Sequence, residues 1–274
     1  MRTSYPLKCL THVLIALATV VALIVVGFLA WVFIPMIGTR QAALEVWRDP
    51  AVSVRDAGGS VVLSPAGAPS GTGLVFIPGA RVDPYAYLFK LSGVVAEAGV
   101  TVVIAKPALN LALFDQRPLS AFTSAAPGVS RWYVGGHSLG GVRVCQLADT
   151  PGVEGLVLFG SYCANDVSAT SLRVLSLGGA NDCLSTPGKI AAAAHLLPPD
   201  AAFVEIPGMD HAQFGDYGAQ PGDCAATIGD AEARDALTAA LGTILSPPRD
   251  PLSPGTTASP AAASSAPRVS RLNV

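Results

Sequence analysis

Residues 132–141 read WYVGGHSLGG, and this stretch carries the pattern that decides the fold. An apolar run leads into Ser138 and predicts a buried strand, while the residues after it have the apolar spacing of a helix. Ser138 lies between Gly136 and Gly140 in the pattern G-x-S-x-G, which exposes a serine hydroxyl on a sharp strand-to-helix turn. Because glycine-rich turns also produce this pattern by chance, the rest of the chain must supply a base, an acid and an oxyanion site.

Short apolar runs alternate with helical patterns on both sides of this turn. The predicted strands are AVSVRD, SVVLSP, TGLVFIPG, VTVVIAK, SRWYVGG, EGLVLFG, LRVLSLG and AFVEIPG. The predicted helices are YAYLFKLSGVVAEAG, GGVRVCQLAD, PGKIAAAAHLL and DAEARDALTAALGTIL. Continuous apolar strands that alternate with helices predict the α/β class, with a mostly parallel sheet covered on both faces. Ligands bind beyond the carboxyl ends of such strands, so site residues are sought just after each one.

A nucleophilic serine needs a base, and the chain has four histidines. His12 lies in the apolar N-terminal segment, and the side chain of His137 should point away from the neighbouring serine hydroxyl. His195 is predicted to lie within a helix. His211 follows the last predicted strand, where the base belongs in the chain order serine, acid, histidine. We therefore predict that His211 is the general base.

The acid should follow a strand between the serine and the histidine. Asp182 comes directly after the strand LRVLSLG, and its role would be to accept a hydrogen bond from the His211 ring. Asp166 follows the preceding strand and is the alternative. Asp210 is too close in sequence to His211 to orient its ring easily.

Two backbone N–H groups should stabilise the oxyanion. The first belongs to Leu139, the residue after the nucleophile. The second comes from the loop after an early strand, and VFIPGARVDPYAY fits that loop. Ala80 is the predicted donor there, with Arg81 as the neighbouring alternative.

The two ends of the chain differ in composition from its centre. No residue between Lys8 and Arg40 carries a fixed charge, and about 20 apolar residues suffice to span a bilayer. The segment is longer than a secretory signal core and has no convincing A-x-A cleavage site, so residues 1–40 are interpreted as a transmembrane signal anchor, with a cleaved signal peptide as the alternative. Residues 246–274 are rich in Pro, Ser and Ala and predict a disordered tail. Residues 41–245 then form one domain.

Charges flanking the apolar segment bear on its orientation. Arg2, Lys8 and the amino terminus lie on one side, and Arg40 and Arg48 lie on the other. By a thin margin the positive-inside rule favours a cytoplasmic N-terminus. We therefore predict a single-pass protein of the cell membrane with its main domain outside the cytoplasm.

Four cysteines lie in the main domain: Cys145, Cys163, Cys183 and Cys224. An even number permits two disulfides in an exported domain. Cys183 and Cys224 lie in the two loops assigned to catalysis and could meet, and the alternative is four small buried thiols. No C-x-x-C pair or Cys/His cluster indicates a metal.

Four blocks of the chain are similar to α/β-hydrolases, namely TGLVFIPGARVDPYAY, KPALNLALFD, WYVGGHSLGGVRV and MDHAQFGDYGAQPGD. Over residues 52–245 the chain most resembles the small lidless group that includes the dienelactone-hydrolase-like proteins. The resemblance implies the α/β-hydrolase fold and the triad roles for Ser138, Asp182 and His211. Dienelactone hydrolases use a cysteine nucleophile, so the serine argues against that exact activity. The segment SYCANDVSATS is too short for a lid, which predicts an open site for small or exposed esters.

The leading hypothesis is a membrane-anchored serine hydrolase that cleaves carboxylic esters or related small acyl substrates, with no cofactor or metal. An acyltransferase with the same triad, or a non-catalytic binding domain of the same fold, is the alternative. The formal net charge of −2 gives no indication of a nucleic-acid partner.

Overall fold

The computed structural model describes residues 5–246, and the side chains from residue 9 onward. The chain divides into two units, and the first of them ends at Pro35. It consists of helix α1 (Tyr5–Phe33). Cys9–Phe33 has a mean hydropathy of 3.0 and is, by length and composition, long and apolar enough to cross a membrane. Apart from Ser246, the segment predicted as a disordered tail lies outside the described residues.

The second unit contains an eight-stranded sheet with the strand order β1-β2-β4-β3-β5-β6-β7-β8. β2 pairs antiparallel with both β1 and β4, and all other neighbours are parallel. The strands are β1 (Val52–Asp56), β2 (Ser60–Pro65), β3 (Thr72–Ile77), β4 (Thr101–Ala105), β5 (Arg131–His137), β6 (Val153–Phe159), β7 (Arg173–Gly179) and β8 (Ala202–Ile206). The predicted α/β class with a mostly parallel sheet is confirmed.

Both faces of the sheet are covered, because alternate residues of its strands point to opposite sides. Leu74 and Phe76 of β3 belong to one buried cluster, and Val75 and Ile77 belong to the other. The first cluster includes residues of α2 (Arg40–Arg48), α3 (Leu88–Ala98) and α7 (Asp230–Leu245). The second includes residues of α4 (Ser120–Thr123) and α5 (Leu139–Leu147). The apolar strands therefore form the middle layer of a three-layer domain.

The helix predicted at PGKIAAAAHLL is shorter than expected. Helix α6 (Pro187–Ala192) begins after Thr186, whose hydroxyl accepts the Lys189 N–H, and has proline in its first turn. The chain leaves the helix at Ala193, and a separate 3-10 turn (Ala194–Leu196) follows. His195 therefore lies in a short 3-10 helix of its own and not in the continuous helix that was predicted. The histidine is exposed on this turn, where Nδ1 lies 2.9 Å from the Ala192 carbonyl oxygen.

Only residues 160–172 connect β6 to β7, the position at which larger hydrolases insert a lid. This connection has no helix or strand of its own. No lid is formed there, as predicted, and the carboxyl edge of the central strands is not covered by an inserted domain.

Candidate active site

Ser138 lies at the turn between β5 and α5 and has φ 51° and ψ −119°. Few residues other than glycine adopt a positive φ, so surrounding contacts must hold this backbone in place. Gly136 leaves room for the turn, because a Cβ there would overlap the backbone of Gly140. The Ser138 N–H donates to the Phe159 carbonyl at 3.0 Å, and the Ser161 hydroxyl donates to the Ser138 carbonyl at 2.7 Å. These contacts hold Ser138, half-buried, at the carboxyl end of β5.

The start of α5 packs directly against the loop that follows β3. A Cβ on Gly140 would overlap the carbonyl oxygens of Ile77 and Pro78, so only glycine permits this approach. Leu139 is the first residue of α5, and its N–H has no partner within the helix. The contact therefore brings the N–H of Leu139 next to the loop that contains Ala80.

Among the N–H groups of this loop, that of Ala80 differs from its two neighbours. The Gly79 N–H donates to the Tyr87 hydroxyl at 2.9 Å, and the Arg81 N–H donates to the Asn110 carbonyl at 2.7 Å. Over residues 5–246 the Ala80 N–H donates no hydrogen bond. Of the two donors considered from the sequence, the Ala80 N–H is available to bind an oxyanion, whereas the Arg81 N–H is already hydrogen-bonded to Asn110.

Asp182 and His211 meet at the carboxyl ends of β7 and β8. Asp182 Oδ2 lies 2.7 Å from His211 Nδ1, and both side chains are buried. Asp182 Oδ1 accepts the N–H groups of Leu184 at 2.8 Å and Ser185 at 2.6 Å. An ionised carboxylate only accepts hydrogen bonds, so Nδ1 carries the imidazole proton and Nε2 has the lone pair. His211 Nε2 is buried and has no hydrogen-bond partner within the described part of the chain.

His137, the residue before the serine, is fully buried beside this pair. Its ring centroid lies 4.5 Å from that of His211, and its Nδ1 lies 2.9 Å from the Tyr87 hydroxyl. Burial lowers the pKa of His137 well below its usual value, and the neighbouring His211 ring acts in the same direction. The contact between the two rings places His211 next to the residue that precedes Ser138. No hydrogen bond joins the Ser138 hydroxyl to His211 in residues 5–246.

The other two carboxylates considered from the sequence have different partners. Asp166 is exposed and accepts the Ser168 N–H at 2.8 Å, and hydrogen bonding from the side chain and then the backbone of Ser168 lowers the pKa of its carboxyl group. Asp210 accepts the N–H groups of Gln213 at 2.8 Å and Ala226 at 3.1 Å. Burial raises the pKa of Asp210. The structure therefore brings Asp182, and neither alternative, to the His211 ring.

Two disulfides join the four cysteines of this unit, Cys145 to Cys163 and Cys183 to Cys224. The first is buried, and both cysteines of the second are exposed. The alternative of four free thiols is excluded. Within the described residues no group of three or more His, Cys, Asp or Glu side chains is arranged to hold a metal ion.

Three residues that hold the site together were not singled out from the sequence. Ser161 binds the Ser138 carbonyl, Tyr87 binds the loop before Ala80, and Asp223 binds backbone N–H groups beside Asp182 and His211. Asp223 is the last residue of the block MDHAQFGDYGAQPGD, which was the only signal that could have pointed to it.

A serine on the turn after a central parallel strand, followed along the chain by a bonded aspartate and histidine, is typical of α/β hydrolases. The model of the alpha/beta hydrolase family matches residues 73–235, more than half of the chain. The protein belongs to the α/β hydrolase family, and this membership indicates hydrolase activity. A search of curated proteins finds no significant match. The resemblance to the dienelactone-hydrolase-like group stays a prediction.

Proposed function

We propose that this protein is a serine hydrolase that cleaves carboxylic esters through an acyl-enzyme, with Ser138 as nucleophile, His211 as base and Asp182 as acid. The observation that carries the proposal is the Asp182–His211 hydrogen bond, which leaves a buried Nε2 without a partner beside the turn of Ser138. A general base needs a ring nitrogen with a free lone pair, and its other nitrogen must be held by an acceptor.

The reaction follows from these positions. His211 Nε2 accepts the hydroxyl proton as Ser138 Oγ attacks the carbonyl carbon, and the carbonyl double bond opens to an oxyanion. The oxyanion then collapses, the C–O bond to the alcohol breaks, and His211 returns the proton to the departing alkoxide. Water enters next, loses a proton to His211 and attacks the acyl-enzyme, which releases the acid and restores the serine. No cofactor takes part in these steps.

The Ala80 and Leu139 N–H groups are the proposed oxyanion donors. Neither donates a hydrogen bond within the described segment, whereas the N–H groups on both sides of Ala80 are occupied. The loss of one such donor typically costs about 3 to 4 kcal/mol of transition-state stabilisation. In ligand-free sites the serine–histidine contact is often long and tightens when substrate binds, so the absent Ser138–His211 hydrogen bond is compatible with the mechanism.

Small or exposed esters are the proposed substrate class. The short β6–β7 connection supports this, because it leaves no inserted domain to enclose a long apolar chain.

We also propose that α1 anchors the protein in the cell membrane, with the N-terminus in the cytoplasm and the hydrolase domain outside. The length and composition of α1 support the anchor. The two disulfides support an oxidising compartment for the domain. Reporter fusions after Val274 test the orientation, and reporter activity confined to the cytoplasm would refute it.

The activity is tested with a fluorophosphonate probe, which reacts covalently with activated serines. We expect labelling of the wild-type protein and none of Ser138→Ala, with ester hydrolysis lost in the same variant. A panel of esters of increasing acyl length then defines the substrate. Added alcohol would reveal acyl transfer if it diverts most of the product from acid to a new ester. Absence of both labelling and hydrolysis in folded wild-type protein would refute the proposal and favour a binding domain.

A further inference from the structure

The carboxylate of Asp223 joins the two loops that carry the proposed acid and base. Its Oδ1 accepts the N–H of Cys183, the residue after Asp182, at 3.1 Å. Its Oδ2 accepts the N–H of Ala212, the residue after His211, at 3.0 Å. One side chain therefore binds the backbone directly behind both members of the pair.

The backbone around Asp223 is itself bonded to the loop that carries Asp182. Cys224, the next residue, forms a disulfide with Cys183, and its N–H donates to Asp223 Oδ1 at 2.9 Å. Asn181 Nδ2, on the other side of Asp182, donates to the Ala225 carbonyl at 3.0 Å. The position of Asp223 is therefore fixed covalently and by hydrogen bonds from the loop that carries the acid.

The loop that carries His211 needs contacts of this kind to hold it in one conformation. Residues 207–229 connect β8 to α7 with a single 3-10 turn (Ala212–Phe214) as their only helical element. Loops of this length without strands or helices of their own sample many conformations unless they are tied. A catalytic hydrogen bond tolerates little displacement, since a shift of about 1 Å can lower a rate on the order of 100-fold.

We propose that Asp223 is a positioning residue for the Asp182–His211 pair, and that the Cys183–Cys224 disulfide holds Asp223 in place. We call Asp223 and this disulfide the clasp. The inference rests on the proposed function, because it assigns the clasp a role in the alignment of that triad.

The chain offers a matched control for each part of the clasp. Asp49 is half-buried like Asp223 and also accepts a backbone N–H, that of Ala51 at 2.8 Å, but it lies between α2 and β1. The disulfide between Cys145 and Cys163 is buried, whereas both cysteines of the clasp are exposed. A mild reductant should therefore reach the clasp first.

The first test compares Asp223→Ala, Asp223→Asn and Asp49→Ala in the full chain in detergent micelles. In Asp223→Ala we expect kcat to fall about 10- to 100-fold with little change in KM, because alignment of the triad and not substrate binding is lost. The pKa of the acidic limb of the kcat/KM profile should also move, because that limb reports the base. Asp223→Asn keeps one acceptor oxygen but places an amide N–H against the other backbone N–H, so its kcat should lie between those of Asp223→Ala and the wild type. Asp49→Ala should match the wild type.

The second test needs no mutation and applies even where Asp223→Ala does not fold. Dithiothreitol reduces the exposed disulfide to two thiols and is itself oxidised to its cyclic disulfide. Alkylation and mass spectrometry then show which cysteines have reacted. We expect kcat to fall in proportion to alkylation of Cys183 and Cys224, while Cys145 and Cys163 stay joined and the circular dichroism spectrum is unchanged. Full activity with the clasp completely alkylated would overturn the role of the disulfide.

A third readout separates this proposal from the proposed function. A histidine N–H bound to a carboxylate gives a downfield proton resonance, which can be assigned by its loss in His211→Gln. We expect Asp223→Ala and reduction to shift or broaden it. If wild-type protein hydrolyses no ester, the proposed function fails, yet this resonance still tests the clasp. An unchanged resonance in Asp223→Ala together with an unchanged resonance after reduction would overturn the clasp whatever the activity.

Discussion

The imidazole ring centroids of His137 and His211 lie 4.5 Å apart, yet their hydrogen bonds place the imidazole proton on different ring nitrogens. The Gly79 N–H already donates to the Tyr87 oxygen, so the single hydroxyl proton of Tyr87 is left for His137 Nδ1. His137 Nδ1 is thus an acceptor, and the ring is neutral with its proton on Nε2. In His211 the carboxylate of Asp182 holds the proton on Nδ1 and leaves the lone pair on Nε2.

We predict from this difference that only His211 acts as the base. His211→Gln should lower kcat by at least about 1,000-fold, the scale typical of the loss of a triad member. His137→Gln should lower kcat by less than about 10-fold, because an amide can still bind the Tyr87 hydroxyl. Steady-state kinetics and fluorophosphonate labelling of both variants check this. An equal loss in the two variants would contradict the assignment.

The hydroxyl of Tyr87 should support both the oxyanion loop and His137. Tyr87→Phe leaves the Gly79 N–H and His137 Nδ1 buried without their partner, and each such group costs about 1 to 3 kcal/mol. We expect a lower free energy of unfolding and also a lower kcat, because Gly79 precedes the proposed donor Ala80. Denaturant titration and kinetics measure the two effects.

The matched control for Tyr87 is Tyr133, which is also buried. Its hydroxyl binds Arg173 Nη1 at 3.0 Å, and both residues lie near the amino ends of their strands, away from the site. Tyr133→Phe should change stability alone. If kcat falls equally in both variants, the loss in Tyr87→Phe reflects lower stability of the whole fold and not the lost contact with the Gly79 N–H.

Local patterns in the sequence predict much of this fold and of the candidate site. Most strands are short apolar runs, and Ser138, Asp182 and His211 each follow a strand, so chain order alone predicts that they meet at one edge of the sheet. The supporting contacts have no such local pattern. Tyr87 lies 50 residues from His137, and Asp223 lies 40 residues from Cys183, so these contacts exist only once the chain has folded.

Helix α2 was not predicted, and the reason is also physical. It has only nine residues, of which Val46 alone is buried, so RQAALEVWR is too short for its helical spacing of apolar residues to stand out in the sequence. Helix α6 was predicted too long, because a run of alanines favours a helix wherever it occurs and does not mark an end.

Gly140 should be irreplaceable where α5 meets the end of β3. A Cβ there would overlap the carbonyl oxygens of Ile77 and Pro78. These are backbone atoms, which cannot rotate out of the way as a side chain could. We expect Gly140→Ala to destabilise the fold by about 3 kcal/mol or more and to lower kcat, because the backbone shift would separate Leu139 from Ala80. Denaturation and kinetics check this.

Gly242 is the matched control for Gly140, since it also lies in a helix but nothing comes within 4 Å of a Cβ placed there. Gly242→Ala should stabilise the protein by up to about 1 kcal/mol, the helix propensity difference between the two residues. Equal stability of the two variants would contradict the proposed close contact.

Asp216 should make stability depend on pH. Its carboxylate lies 2.7 Å from Nζ of the buried Lys90, but burial outweighs this attraction and raises the pKa of Asp216 to about 6. Between the unfolded value of 3.8 and this native value, the folded protein holds a proton that the unfolded chain has released. The free energy of unfolding supplied by Asp216 therefore falls as pH rises through this window.

The measurement compares wild type with Asp216→Asn, which cannot titrate, by denaturation of the full chain in detergent from about pH 4.5 to about pH 7. The stability of wild type relative to the variant should fall by about 2 kcal/mol across this range. Asp56→Asn is the control, because Lys106 and Tyr85 lower the pKa of Asp56 to about 2, below the range. Its difference from wild type should stay constant. If the relative stability conferred by Asp216 rises with pH instead, the attraction of Lys90 outweighs burial, and the raised pKa is contradicted.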